Sequence, residues 1–222
     1  MSKSRITIDT RLAEGFNNYM KGYLKLYQDL ARVVKNHIVE STKGNIIVDL
    51  GAGTCYFSKE LKKQLPDAFI INIEPSKEMI KTALKNIEDN EKSSINLIRA
   101  KTEYTPLKSN VADIIVTRFT IPYWDMIDTG LKETRRILKN RGVLIIEELN
   151  PDYPKWKLWL MKLHMHLRGA DKRLVEYQDE AYRIAYRIEE LEGLLKTNHY
   201  NVIKKEYKKN RWRYLLIAEK KE

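Results

Sequence analysis

An apolar run, Ile46-Ile47-Val48, ends at the carboxylate of Asp49 and then, one residue beyond Leu50, at Gly51-Ala52-Gly53. This is the pattern of a strand delivering its carboxyl end into a ligand-binding turn. Glycines at 51 and 53 permit backbone angles closed to other residues and let a cofactor lie directly on the main chain. A second apolar run, Ala68 to Ile73, ends at Glu74-Pro75. The spacing from Asp49 to Glu74 is the one at which an acidic side chain meets a ribose diol.

Two cofactor classes use such a turn. A nicotinamide dinucleotide brings a pyrophosphate, which needs a third glycine at position 56 and no carboxylate beside the turn. Position 56 is Tyr56. S-adenosylmethionine (SAM) brings an ammonium and a sulfonium and no phosphate, so Asp49, two residues before the first glycine, is an asset. The order D-x-G-x-G resembles motif I of class I SAM-dependent methyltransferases. Further matches follow in the family's order. Glu103-Tyr104-Thr105-Pro106-Leu107 with Ala112-Asp113-Ile114-Ile115-Val116 is similar to its "A-E-x-L-P-F … F-D-x-V" stretch, and Leu131 to Lys139 is similar to its "L-x-E-x-x-R-V-L-K" helix end.

The resemblance, over roughly residues 40 to 150 and 188 to 220, implies SAM as cofactor, with Asp49, Gly51, Ala52, Gly53, Glu74, Pro75, Met79, Thr102, Glu103 and Arg118 around it. Two positions depart from the family pattern. Cys55 stands at the usual third glycine, where a small packed residue is expected rather than thiol chemistry. Lys101 stands where many members place an Asp that accepts the adenine amino group, which a lysine cannot do. Either adenine is then expected to be read by the backbone around Thr102 and by apolar contacts such as Met79, or SAM is expected to be bound weakly.

The elements that must position these residues read as an alternation. Apolar residues from Leu12 to Ile38 recur on one face of a long helix, with Tyr19, Tyr23 and Tyr27 on a shared stripe suited to core packing or to the edge of a site. Strands at 46–50, 69–73, 95–99, 112–117 and 143–147 then alternate with helices, and 201–207 with 212–218 reads as a hairpin. The expected fold is α/β: a Rossmann-like doubly wound seven-stranded sheet with a terminal antiparallel hairpin, an N-terminal helix and a helical insertion after strand five. Residues 1–222 are read as a single domain, with an N-terminal helix 11–38, a core 44–150 and 188–220, and the insertion 151–187.

Ligands of such sheets sit beyond the carboxyl ends of the strands, which puts Phe119, Tyr123, Trp124 and Glu147 on the acceptor side with Tyr19 and Tyr23. Tyr123 and Trp124 are read as pocket walls against the alternative that they only pack a helix start. Ile121-Pro122-Tyr123-Trp124 is out of register with the N-P-P-Y/W signature of adenine N-methyltransferases. Trp159, on a helix opened by Pro154, is expected to cover the acceptor, the alternative being a helical pair that simply covers the sheet. His164 and His166 point to different faces of that helix, so no metal site is read, and no catalytic base stands out. An amphipathic Trp/Lys helix of this kind is also able to touch a membrane surface.

The net charge of +11 invites a nucleic-acid partner, but the lysines are dispersed. The resemblance to the ubiquinone/menaquinone-biosynthesis-like branch implies a small-molecule or lipid-like acceptor instead. Methylation of RNA or another macromolecule, and a non-catalytic SAM-binding protein, are the rival readings. The single cysteine fits a reducing cytosol, and neither the polar start Met1 to Arg5 nor any apolar run reads as a secretion signal or transmembrane segment. The expected compartment is cytoplasmic.

Overall fold

The computed structural model describes residues 6–38, 44–87 and 94–221; the polar start at 1–5 lies outside them. Seven strands form one sheet, β1 (Ile46–Leu50), β2 (Phe69–Ile73), β3 (Ile95–Ile98), β4 (Ala112–Arg118), β5 (Leu138–Leu149), β6 (Tyr200–Tyr207) and β7 (Arg213–Lys220), in the order β3-β2-β1-β4-β5-β7-β6. β1 to β5 are parallel, and β7 runs antiparallel between β5 and β6. The doubly wound sheet with its terminal hairpin is the fold expected from the alternation.

Ile47, Val48 and Leu50 are fully buried, as a parallel strand covered on both faces requires. One face is covered by α5 (Ile127–Ile137) and α8 (Ile188–Thr197), through Leu131, Ile137, Ile188, Leu191 and Leu195. The other is covered by α2 (Leu24–Lys35), α3 (Tyr56–Gln64) and α4 (Lys77–Asn86), through Leu30, Val34, Phe57, Leu61 and Ala83. Ser76 caps α4, its hydroxyl accepting the Met79 N–H at 3.2 Å.

Two expectations need correction. The N-terminal helix is broken into α1 (Thr10–Met20) and α2 by a tight turn over Lys21–Tyr23. Gly22 is a poor helix former there, and the hydroxyls of Tyr19 and Tyr23 meet at 3.0 Å across the bend. The fifth strand, expected at 143–147, begins instead at Leu138 and pairs with Ala112 before an irregularity in register. Residues 151–187 do form an insertion, made of α6 (Lys155–Leu167) and α7 (Lys172–Ile184).

Gly130 shows how closely the α5 side is packed: a β-carbon there would lie 2.4 Å from Cε3 of Trp124. Gly130→Ala should therefore destabilise the protein by about 1–3 kcal/mol despite its better helix propensity, as read by denaturant unfolding.

Candidate functional site

A cavity of about 650 Å³ opens over the carboxyl ends of β1, β2 and β4 and is roofed by α1, α2 and α7. Its floor is the turn after β1. Gly51 and Gly53 both have positive φ (76° and 54°). Gly51 is required by its neighbour as well as by its angles, since a β-carbon would lie 2.3 Å from Cγ2 of Thr120. At Gly53 the nearest atom to such a carbon is Cε1 of Phe16 at 3.9 Å, so the main chain is open to a ligand. Cys55 has φ 61° and keeps the left-handed conformation that a glycine would supply. It is fully buried, and burial raises its thiol well above the ordinary value, so it is a packed residue.

The acidic side chains have distinct local duties. Glu74 accepts the Gly53 N–H at 2.9 Å through one oxygen and the Ser76 N–H at 2.8 Å through the other, tying the β1 and β2 turns together. Glu103 accepts the N–H groups of Asp125 and Met126. Asp49 is different. It is 2 % exposed, and its Oδ2 has no hydrogen-bond partner. Burial raises its pKa to about 7, Glu74 adds to the rise, and Arg118 and Ser58 oppose it.

Arg118 ends β4 with its guanidinium 4.3 Å from the centre of the Tyr27 ring and 4.7 Å from that of Phe119. Its Nε is 2.8 Å from Glu147 Oε2, a charge contact too poorly aligned to be a hydrogen bond, and its buried Nη2 has no partner. Glu147 Oε1 accepts from Arg213 Nε at 2.7 Å. Glu147 is thus the counter-ion of two buried arginines and does not line the cavity, which corrects its reading as an acceptor contact.

The cavity is also lined by Tyr19, Tyr23, Phe119, Tyr123 and Trp124, and by Ala52, Pro75, Met79 and Thr102. Trp124 serves packing too, through Gly130. Trp159 is 59 % exposed and lines nothing; Met161, from the opposite side of the same helix, takes its place. Tyr177, not among the residues read as site contacts from the sequence, also lines the cavity. Tyr177 stacks on Tyr123 at 5.7 Å, and burial raises its pKa to about 12. Asp125 was missed because its partner is distant in sequence: it pairs with Lys101 at 2.5 Å and brings a carboxylate back to the rim where the family's Asp is replaced.

A buried carboxylate whose Oδ2 has no hydrogen-bond partner, beside an open glycine backbone and a second acidic group, fits a ligand with a cationic tail and a ribose. Residues 48–146 match the methyltransferase domain family. The malonyl-[acyl-carrier protein] O-methyltransferase of Priestia megaterium is 26% identical over 140 residues, 60% of this chain and 49% of that protein. The ubiquinone/menaquinone biosynthesis C-methyltransferase UbiE of Wigglesworthia glossinidia brevipalpis is 29% identical over 124 residues, 54% and 50% of the two chains. The chain spans about half the length of these curated relatives. A SAM-dependent methyltransferase of known structure from Aquifex aeolicus shares the fold with a TM-score of 0.70, over 96% of this chain and 98% of that one, at 16% identity. These likenesses support a class I SAM-dependent methyltransferase with SAM as its cofactor.

The Asp49 shift has a stability consequence. A carboxyl whose folded pKa lies above its unfolded value holds its proton more tightly in the fold, so this contribution is full below pH 3.8 and is lost as pH rises towards about 7. Asp49→Asn should accordingly stabilise the ligand-free protein at pH 8 by about 1–3 kcal/mol and have a smaller effect at pH 5, measured by urea unfolding at both pH values.

Proposed function

We propose that the protein transfers a methyl group from SAM to a small or lipid-like acceptor held in the aromatic half of the cavity. The observation that carries this reading is one cavity lined both by buried carboxylates, at Asp49 and Glu74, and by the aromatic rings of Tyr19, Tyr23, Phe119, Tyr123 and Tyr177. Aromatic walls with few polar groups suit a compact apolar or amphipathic molecule. The quinone and malonyl-thioester methyltransferases among the relatives support the same acceptor class.

When bound, SAM supplies an electrophilic methyl group on a sulfonium, open to in-line displacement. Asp49 would neutralise the ammonium end, Arg118 Nη2 would pair with the carboxylate, and Glu74 would accept from the ribose hydroxyls with the lone pairs its two N–H bonds leave free. Thr102, Met79 and Pro75 would flank the adenine, with Asp125 as acceptor for its amino group. The chain's main contribution to rate is then orientation: the stacked Tyr123 and Tyr177 fix the acceptor's plane, and α1, α2 and α7 exclude water. We assign no general base.

Two measurements test the reading. Because a cation binds the ionised form of Asp49, affinity for SAM by calorimetry should fall about tenfold per pH unit below about 7, and Asp49→Asn should bind weakly with that dependence removed. Cell extract incubated with the protein and methyl-labelled SAM should yield label in organic-soluble small molecules. Label in RNA would transfer the reading to a macromolecular acceptor, and SAM binding with no labelled product would make this a binding protein.

A further inference from the structure

Among the described residues, half of the exposed large apolar side chains lie on one helix, α6: Trp156, Trp159, Leu160, Leu163 and Leu167, which are 40 % to 78 % exposed. At 3.6 residues per turn these five fall within an arc of about 100°. The opposite side of α6 is also apolar and already has partners. Leu158 and Met161 pack towards Leu149 and Tyr182, and Met165 packs with Leu12, Leu174 and Val175. The outward stripe is therefore not the core-facing side of the helix.

The charge bordering the stripe has one sign. By helical phase, Lys155, Lys162 and His166 edge one side and Lys157, His164 and Arg168 the other, and no acidic residue occurs from Lys155 to Arg168. Lys162 is paired with Asp179 of α7 at 2.8 Å. Lys157 Nζ lies 5.3 Å from the Trp156 ring and 5.7 Å from the Tyr153 ring, so its stem runs over aromatic surface while its charge stays at the edge. Tryptophan and leucine on one face with cations along both borders form the composition of a helix that lies in a lipid headgroup layer. A protein partner would need a matching apolar surface rimmed with acid; an anionic bilayer offers both properties without specific shape.

We propose that α6 is an interfacial helix that docks this protein on anionic lipid bilayers, its Trp156–Leu167 stripe entering the headgroup region and its bordering cations meeting lipid phosphates. The long axis of α6 would lie parallel to the bilayer plane. Met161, on the same helix, lines the cavity, so the docked surface and the acceptor side are separated by the thickness of one helix. The docking does not rest on the identity of the acceptor.

The full-length protein should co-sediment with phosphatidylcholine vesicles containing phosphatidylglycerol, bind pure phosphatidylcholine vesicles more weakly, and be partly released by salt. Its tryptophan emission should shift to the blue on binding. Trp156→Gln combined with Leu167→Gln, two exposed positions away from the cavity, should lower partitioning at least about tenfold while leaving SAM affinity and unfolding midpoint unchanged. Equal binding of wild type and double variant, or no binding to anionic vesicles, would overturn the proposal. So would a concentration-dependent dimer of the wild type that the double variant loses in sedimentation velocity, since that result gives the face to a second copy of the chain.

Discussion

A carboxylate buried in the middle of a parallel sheet governs the arrangement of everything around it. Asp49 sits in register with Asn72 of β2 and Val116 of β4, with apolar side chains above and below the strand. Burying a charge there is costly, and the fold moderates that cost only in part, through Arg118 at a distance and Ser58 nearby. Arg118 in turn is held by Glu147, which also holds Arg213 of β7. The network crosses β1, β4, β5 and β7, so the charge at the cofactor turn is connected through the sheet to the terminal hairpin. Truncating Glu147 would leave two arginines buried without their counter-ion, a far larger disturbance than loss of one ligand contact.

The loops at the strand ends are joined by the same chemistry in neutral surroundings. Glu74 binds backbone N–H groups of the β1 and β2 turns, Glu103 those of Asp125 and Met126, and Glu148 of β5 those of Thr120 and Ile121 at 2.9 and 3.0 Å. Burial raises Glu148 to about 8 even with these bonds lowering it. Each carboxylate thus clips a loop from a different strand into place. These bonds tie the rim loops together without any ligand, which suits a reaction whose rate depends on alignment rather than on a proton shuttle. It also explains how an acidic site belongs to a chain whose net charge is +11: the acids are turned inward and the lysines outward.

Local signals were legible in the sequence wherever the local backbone decides the outcome. The glycine turn and the alternation of strands and helices depend on residues close together along the chain. Depth was not legible. Glu147 and Glu148 are neighbours on one strand and take opposite sides of the sheet, and only tertiary packing places Arg118 and Arg213 against the first of them. Asp125 illustrates the same limit, since the loss of the family's acid at position 101 is offset by a residue on another loop. The bend at Gly22 was hidden because the apolar periodicity continues through it: Tyr19, Tyr23 and Tyr27 all reach the cavity, though from α1, the turn and α2 in succession.

The phase of α6 failed for a different reason. A helix with one apolar face has one way to pack, but α6 has two, the sulfur-rich Leu158-Met161-Met165 side and the Trp-Leu side. Aromatic area argues for turning the tryptophans inward, as the reading of Trp159 assumed. The bordering charges do not decide the phase, since Lys155 and Lys157 lie between the two apolar sides in either orientation. Methionine can conform to the irregular surface between α7 and the cavity, where a rigid indole would not fit. A helix with two apolar sides is ordinarily covered on both. Here the inner side is covered by the fold, and the outer side keeps a composition that water alone does not explain.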